Sequence, residues 1–147
     1  MKKVTKNKLY SIIEQPVSIV TEKYIDYQVM EKCEDGISIH YLNTVSDRYA
    51  LTTNDWADIM GISSKSIQRY QQNESTLSAT QSEFVLKTEQ LFALGEEVFG
   101  SLENFKAWMQ KPAFGLGGKI PVKVMHTISG INLVINQLMR IAHGILA

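Results

Sequence analysis

The segment that most constrains the fold runs from residue 53 to residue 70, where the spacing predicts two short helices joined by a tight turn. Ala57 is the small residue that lets two helices cross closely. Gly61, four positions later, supplies the left-handed backbone conformation that such a turn requires. Apolar side chains occupy the offsets that fill the angle between the helices: Trp56, Met60, Ile62, Ile67 and Tyr70. The sequence therefore predicts a helix-turn-helix at about residues 53–72; an ordinary helical corner is the alternative.

The second helix of this pair carries the candidate DNA-binding residues. Ser63 or Ser64 is expected to cap it, and its exposed face offers hydrogen-bond donors to phosphates and base edges in a major groove. The predicted DNA-binding residues are Ser63, Ser64, Lys65, Gln68 and Arg69. Charge argues against tight binding, because Asp55 and Asp58 locally cancel Lys65 and Arg69 and phosphate neutralisation dominates DNA affinity.

The charges of the chain are unevenly distributed. The chain contains 15 Lys and Arg against 15 Asp and Glu, but residues 111–147 contain no acidic residue. Residues 1–10 are also basic, through Lys2, Lys3, Lys6 and Lys8. This arm is one candidate for additional positive charge in DNA binding. The alternative is that it is a solvated terminus without a role in DNA binding. Two copies of the chain are expected on DNA, because one small helix-turn-helix reads few bases.

Helical capping signals recur along the chain, whereas alternating strand patterns are weak. Further helices are predicted at residues 21–34, 37–49, 77–99, 101–110 and 127–144, with Thr21 and Thr127 as caps. Gly130, one turn into the last helix, suggests the close approach of another backbone. We predict an all-α protein with four parts: an N-terminal arm and helix (1–35), a helix-turn-helix region (36–80), a linking long helix (81–100) and a C-terminal domain (101–147).

Several classes of protein do not fit the sequence. A membrane-spanning helix needs about 20 mostly apolar residues, and no stretch meets that requirement. No apolar core of a signal peptide follows the basic start, and the single cysteine, Cys33, cannot form an internal disulfide. These features predict a protein of the reducing cytoplasm without membrane contact.

The sequence also does not indicate an enzyme, a cofactor or a metal site. The histidines lack partners at metal-ligand spacing and lie far apart: His40, His126 and His143. The glycine-rich run before Lys119 fails the phosphate-loop pattern, because Ala113 and Ile120 stand where Gly and Ser or Thr are required. Cys33 precedes Glu34 and Asp35, which disfavour a reactive thiolate.

Most of the chain, roughly residues 36–146, resembles a known family, and the C-terminal third carries most of the motifs. Trp108 and Pro112 precede the run Leu-Gly-Gly-Lys-Ile-Pro at 116–121, and Thr127, Gly130, Val134, Leu138, Arg140-Ile141 and His143-Gly144 follow. This order is similar to the toxin-binding domain of Xre/MbcA/ParS-type antitoxins, which usually follows a helix-turn-helix. Ser66 stands where the family's recognition helix has Thr, and Phe84 where a basic residue is expected.

The resemblance implies an antitoxin that blocks a RES-domain, NAD-consuming toxin and represses its own operon by binding operator DNA. It also implies a toxin-binding surface on the last loop and helix, consisting of Gly117, Gly118, Lys119, Asn136, Arg140, His143, Gly144, Ile145 and Leu146. The alternative is a stand-alone helix-turn-helix transcription regulator whose C-terminal domain mediates dimerisation. A RES-type protein encoded next to this chain would favour the first interpretation.

Overall fold

The structure is a computed structural model that describes residues 30–144, and every regular element in that range is helical. Residues 30–35 are helical, and six α-helices follow: α1 (Ile39–Tyr49), α2 (Thr53–Met60), α3 (Ser64–Gln72), α4 (Ala79–Phe99), α5 (Leu102–Met109) and α6 (Ile128–Ala142). Two 3-10 turns, Phe114–Leu116 and Pro121–Val124, lie between α5 and α6. The prediction of an all-α fold is therefore confirmed. The basic arm, the Thr21 cap, Ile145 and Leu146 lie outside the described residues.

Side-chain caps explain where these helices begin. Each of α1 to α6 follows a Ser or Thr whose side-chain oxygen accepts a hydrogen bond from a backbone N–H in the first turn: Ser38, Thr52, Ser63, Ser78, Ser101 and Thr127. Such a cap stabilises a helix by about 0.5–2 kcal/mol. Gly36, just after the helical residues 30–35, has a φ of 72°, a left-handed conformation that suits the end of a helix. The helix bounds predicted from these signals agree with the structure to within two residues for α1 and α4.

Helix α4 forms the centre of the molecule. It packs against α5 and α6 and also against α1 and α2. Its residues from Phe84 to Ala93 are almost all buried, including Lys87, Thr88 and Glu89. The segment that the sequence assigns to a linking helix therefore contributes core side chains to both neighbouring parts of the chain.

A buried carboxylate connects α4 to the start of the fold. The Tyr41 hydroxyl on α1 donates a hydrogen bond to Glu89. Burial raises the pKa of the Glu89 carboxyl, and the Tyr41 hydrogen bond and the positive charges of Lys32 and Arg48 oppose that rise. The Glu89 carboxylate on α4 thus interacts with groups from residues 30–35 and from α1.

The Cys33 thiol is buried against the same helix. Burial, followed by the negative charge of Glu83, raises the pKa of Cys33 to about 11. The expectation of an unreactive thiol was correct in direction, but its main cause is desolvation, and the charged group that adds to it is Glu83 on α4 rather than Glu34 or Asp35.

Candidate functional site: a helix-turn-helix and a C-terminal surface

Helices α2 and α3 form the helix-turn-helix that the sequence predicts. Ala57 is buried at their junction, and the Ile62 N–H donates to its carbonyl oxygen at 3.1 Å. Gly61 has a φ of 66°, as the turn requires. Trp56 and Ile67 are fully buried, and the Trp56 Nε1 donates to the Ser46 Oγ at 2.6 Å. Ile59 is a further buried residue that the sequence reasoning missed, although its spacing of three from Trp56 is helical.

The five predicted DNA-binding residues fall into two groups. Lys65, Gln68 and Arg69 are exposed on α3. Ser63 instead caps α3, with its Oγ accepting from the Ser66 N–H at 3.1 Å. The Ser64 hydroxyl donates to the Asn54 Oδ1 at 2.7 Å, which ties the start of α3 to the start of α2. Lys65, Gln68 and Arg69 are therefore exposed side chains of α3, and the hydroxyls of the two serines also make hydrogen bonds that hold the start of this helix.

The two acidic residues of α2 lie beside the C-terminal part of the chain. The Asp55 Oδ2 accepts from the Thr52 N–H at 2.7 Å, completing a capping box. Asp55 and Asp58 both line a cleft of about 440 Å³ between α2, α5 and the second 3-10 turn. The other wall of this cleft carries Lys106, Lys123 and His126. Asp55 and Asp58 therefore share a cleft with residues of the C-terminal part that can carry positive charge.

The C-terminal surface is built on α6 and on the loop before it. Asn136, Arg140 and His143 are exposed, and Gly144 follows the helix with a φ of 73°. The backbone that approaches Gly130 belongs to the second 3-10 turn. A Cβ atom on Gly130 would lie 1.7 Å from the Val124 carbonyl oxygen.

The predicted loop residues are exposed and adjoin α6. Gly117 and Gly118 have φ values of 66° and 78°, and Lys119 follows them on the surface. The Ala113 N–H donates to the Lys119 carbonyl oxygen at 3.0 Å, which closes the loop on itself. The structure thus brings Gly117, Gly118 and Lys119 to the same part of the molecule as α6; Ile145 and Leu146 lie outside the described residues.

Three residues of this surface were missed by the sequence reasoning. Phe114, on the loop, is 85% exposed, and Leu133, on α6, is 59% exposed. Gln137 is buried, and neither its Oε1 nor its Nε2 has a hydrogen-bond partner among the described residues. One sequence feature could have identified Leu133 as an exposed apolar residue. It lies one turn before Asn136 and Gln137, on a side of α6 that otherwise carries polar residues.

No cluster of three or more His, Cys, Asp or Glu side chains within residues 30–144 is arranged to hold a metal ion. None of the helices in the same range combines the length and the apolar character needed to cross a bilayer.

Comparison with known proteins gives matches to both parts of the chain. Residues 31–87 match the antitoxin Xre-like helix-turn-helix domain, and residues 94–144 match the antitoxin Xre/MbcA/ParS C-terminal toxin-binding domain. A Pseudomonas putida KT2440 protein named Antitoxin Xre is 23% identical over 125 residues, which cover 85% of this chain and 77% of that protein.

Proposed function

Because the chain belongs to the Xre/MbcA/ParS-type antitoxins, we propose that its toxin partner is a RES-domain protein that consumes NAD and that it represses its own operon. The chain is an antitoxin of a toxin–antitoxin system and a regulator rather than an enzyme. The observation that carries the proposal is the succession of a helix-turn-helix and a toxin-binding domain around one shared helix, α4. A toxin-binding domain also argues against a stand-alone transcription regulator.

We assign toxin binding to the exposed end of α6 and the adjoining loop. Arg140 and His143 are exposed there, and from Lys111 onward the chain has basic residues but no Asp or Glu. A surface of one sign selects a partner surface of the opposite sign and speeds its approach. Arg140 is therefore expected to pair with an acidic group beside the toxin's active site, so that the bound antitoxin covers the entrance to the NAD pocket.

Measuring NAD in cells tests the identity of the toxin. Expression of the toxin encoded beside this chain is expected to deplete cellular NAD and stop growth, and co-expression of the chain is expected to restore both. Growth arrest without loss of NAD, reversed by the chain, would refute the RES assignment and leave the antitoxin function intact.

Repression is assigned to the exposed face of α3. Lys65, Gln68 and Arg69 lie on this face, and the Arg69 guanidinium lies 6.0 Å from the centre of the Tyr70 ring, which helps to orient it. The capping by Ser63 and the Ser64–Asn54 hydrogen bond fix the start of α3 relative to α2. We propose that a homodimer presents two such helices to the operator.

The double variant Lys65→Ala, Arg69→Ala is expected to bind the chain's own promoter DNA at least tenfold more weakly, because each good base contact contributes about 1–3 kcal/mol. Fluorescence anisotropy at two salt concentrations measures this loss. The salt dependence is expected to become shallower by about one unit of slope for each phosphate contact removed.

Lys111→Ala is the matched control, since Lys111 is an exposed lysine outside the helix-turn-helix. It is expected to keep operator affinity close to that of the unchanged chain. A folded double variant that binds the operator as tightly as the control would show that α3 does not read DNA.

A further inference from the structure

The loop between α5 and α6 presents a large aromatic side chain to solvent on an ordered backbone. Phe114 is 85% exposed although it lies in a turn closed by hydrogen bonds. The Leu116 and Gly118 N–H groups donate to the Ala113 carbonyl oxygen at 3.1 and 3.0 Å, and the Gly117 N–H donates to that of Phe114 at 3.1 Å. The ring is therefore displayed by a preformed turn, an arrangement that lowers the entropic cost of binding a partner.

The same turn is seated directly on α6. A Cβ atom on Gly115 would lie 2.1–2.3 Å from the side-chain amide atoms of Gln137, so the loop has no room for a side chain where it meets that amide. Leu133, 59% exposed, stands one turn before Gln137 on the same helix. Phe114 directly precedes Gly115 in the loop, and Leu133 precedes Gln137 by one turn of α6; we call these two exposed residues the apolar pair.

The Gln137 amide beneath this contact is unusual for a stable core. It is buried, and both of its polar atoms lack hydrogen-bond partners among the described residues. A buried polar group without a partner opposes folding. This part of the surface combines the buried Gln137 amide with two exposed apolar side chains, so it is not optimised for the stability of the isolated chain. Such a compromise is common where a surface binds a partner.

We propose that the apolar pair, Phe114 and Leu133, is the anchor of the toxin-binding surface and inserts into an apolar recess of the toxin that has an acidic rim. Both residues lie within the matched toxin-binding domain, at residues 94–144. Lys111 and Lys119 flank Phe114 along the chain, and Arg140 lies two turns beyond Leu133 on α6, with no acidic residue in this part of the chain. An aromatic anchor surrounded by polar groups that exclude water is the usual arrangement of a binding hot spot. The inference rests on the proposed assignment of toxin binding to this surface, but not on the RES identity of the toxin.

The test measures the affinity of full-length variants for the purified toxin encoded beside this chain, by isothermal titration calorimetry. Phe114→Ser is expected to weaken binding about 30-fold or more, in the range of hot-spot residues. Leu133→Ser is expected to weaken it about tenfold. Both substitutions replace exposed side chains, so the thermal unfolding temperature is expected to stay close to that of the unchanged chain.

Met30→Ser is the matched control, because Met30 is 51% exposed and lies outside the toxin-binding domain. It is expected to leave the affinity unchanged. Equal toxin affinity of Phe114→Ser and Met30→Ser would overturn the proposal. A change in the oligomeric mass of the chain alone, measured by light scattering for Phe114→Ser but not for Met30→Ser, would also overturn it by assigning the pair to contact between copies. If the toxin proves not to consume NAD, the RES assignment fails while the affinities still decide the role of the pair.

Discussion

Replacing Arg140 by glutamate is expected to abolish neutralisation of the toxin and to leave operator binding unchanged. Arg140 is exposed in the last turn of α6, so the substitution removes no buried contact. It places a carboxylate on a surface that has no acidic residue from Lys111 onward. Against an acidic toxin surface the attraction becomes a like-charge repulsion, and such juxtaposition costs several kcal/mol.

Part of the effect of this variant is expected to arise within the helix itself. A cation near a helix C-terminus complements the helix dipole, and a carboxylate there opposes it, by about 0.3–1 kcal/mol at an exposed position. This loss is too small to unfold α6, whose Leu138 and Val134 side chains are fully buried. Circular dichroism before and after heating separates the loss of stability from the loss of toxin binding.

Lys65→Glu provides the matched control, since it makes the same change of charge at an exposed position of α3. It is expected to lose operator binding and to keep neutralisation, whereas Arg140→Glu is expected to do the reverse. Growth of cells that co-express the toxin measures neutralisation, and a promoter reporter measures repression. Full protection by Arg140→Glu would show that the end of α6 is not a toxin contact.

The elements of the fold were predictable because their signals are local. A Ser or Thr before each helix and a glycine at the α2–α3 turn report the backbone conformation of their own segment, and the structure bears out Gly61 and Thr127. The environment of Gly130 was predicted only in part. Its position inside a helix indicated a close backbone, but only the structure identifies the Val124 carbonyl as that neighbour.

The parts that sequence reasoning missed depend on contacts between distant segments. The sequence argument compared Asp55 and Asp58 only with the charges of α3, and the structure adds that both line a cleft shared with Lys106 and Lys123. Phenylalanine is a residue type that usually lies in the core, and only the tertiary structure shows that nothing in the described chain covers Phe114. The hydroxyls of Ser63 and Ser64, two of the predicted DNA contacts, also make hydrogen bonds within the helix-turn-helix, and the partner of Ser64 on α2 is visible only in the structure.

Replacing Gly130 by alanine is expected to destabilise the chain by about 3 kcal/mol or more, at the upper end of the range for overpacking substitutions. Helix propensity alone predicts the opposite sign, because alanine is favoured over glycine by about 1 kcal/mol inside a helix. The methyl group would lie 1.7 Å from the Val124 carbonyl oxygen and 2.8 Å from its carbon, and both are backbone atoms that cannot rotate away. Relief would require α6 to move off the Pro121–Val124 turn.

Two further substitutions make this prediction quantitative, with urea denaturation as the measurement. Gly115→Ala is expected to cost less than Gly130→Ala, since its Cβ atom would meet the end of the Gln137 side chain rather than backbone. Ser129→Ala, at the exposed position beside Gly130, is expected to change the free energy of unfolding by less than about 0.5 kcal/mol. If Gly130→Ala proved as stable as Ser129→Ala, α6 would not rest on the 3-10 turn. The loop, the apolar pair and Arg140 would then lack the common support on which their joint presentation to a toxin depends.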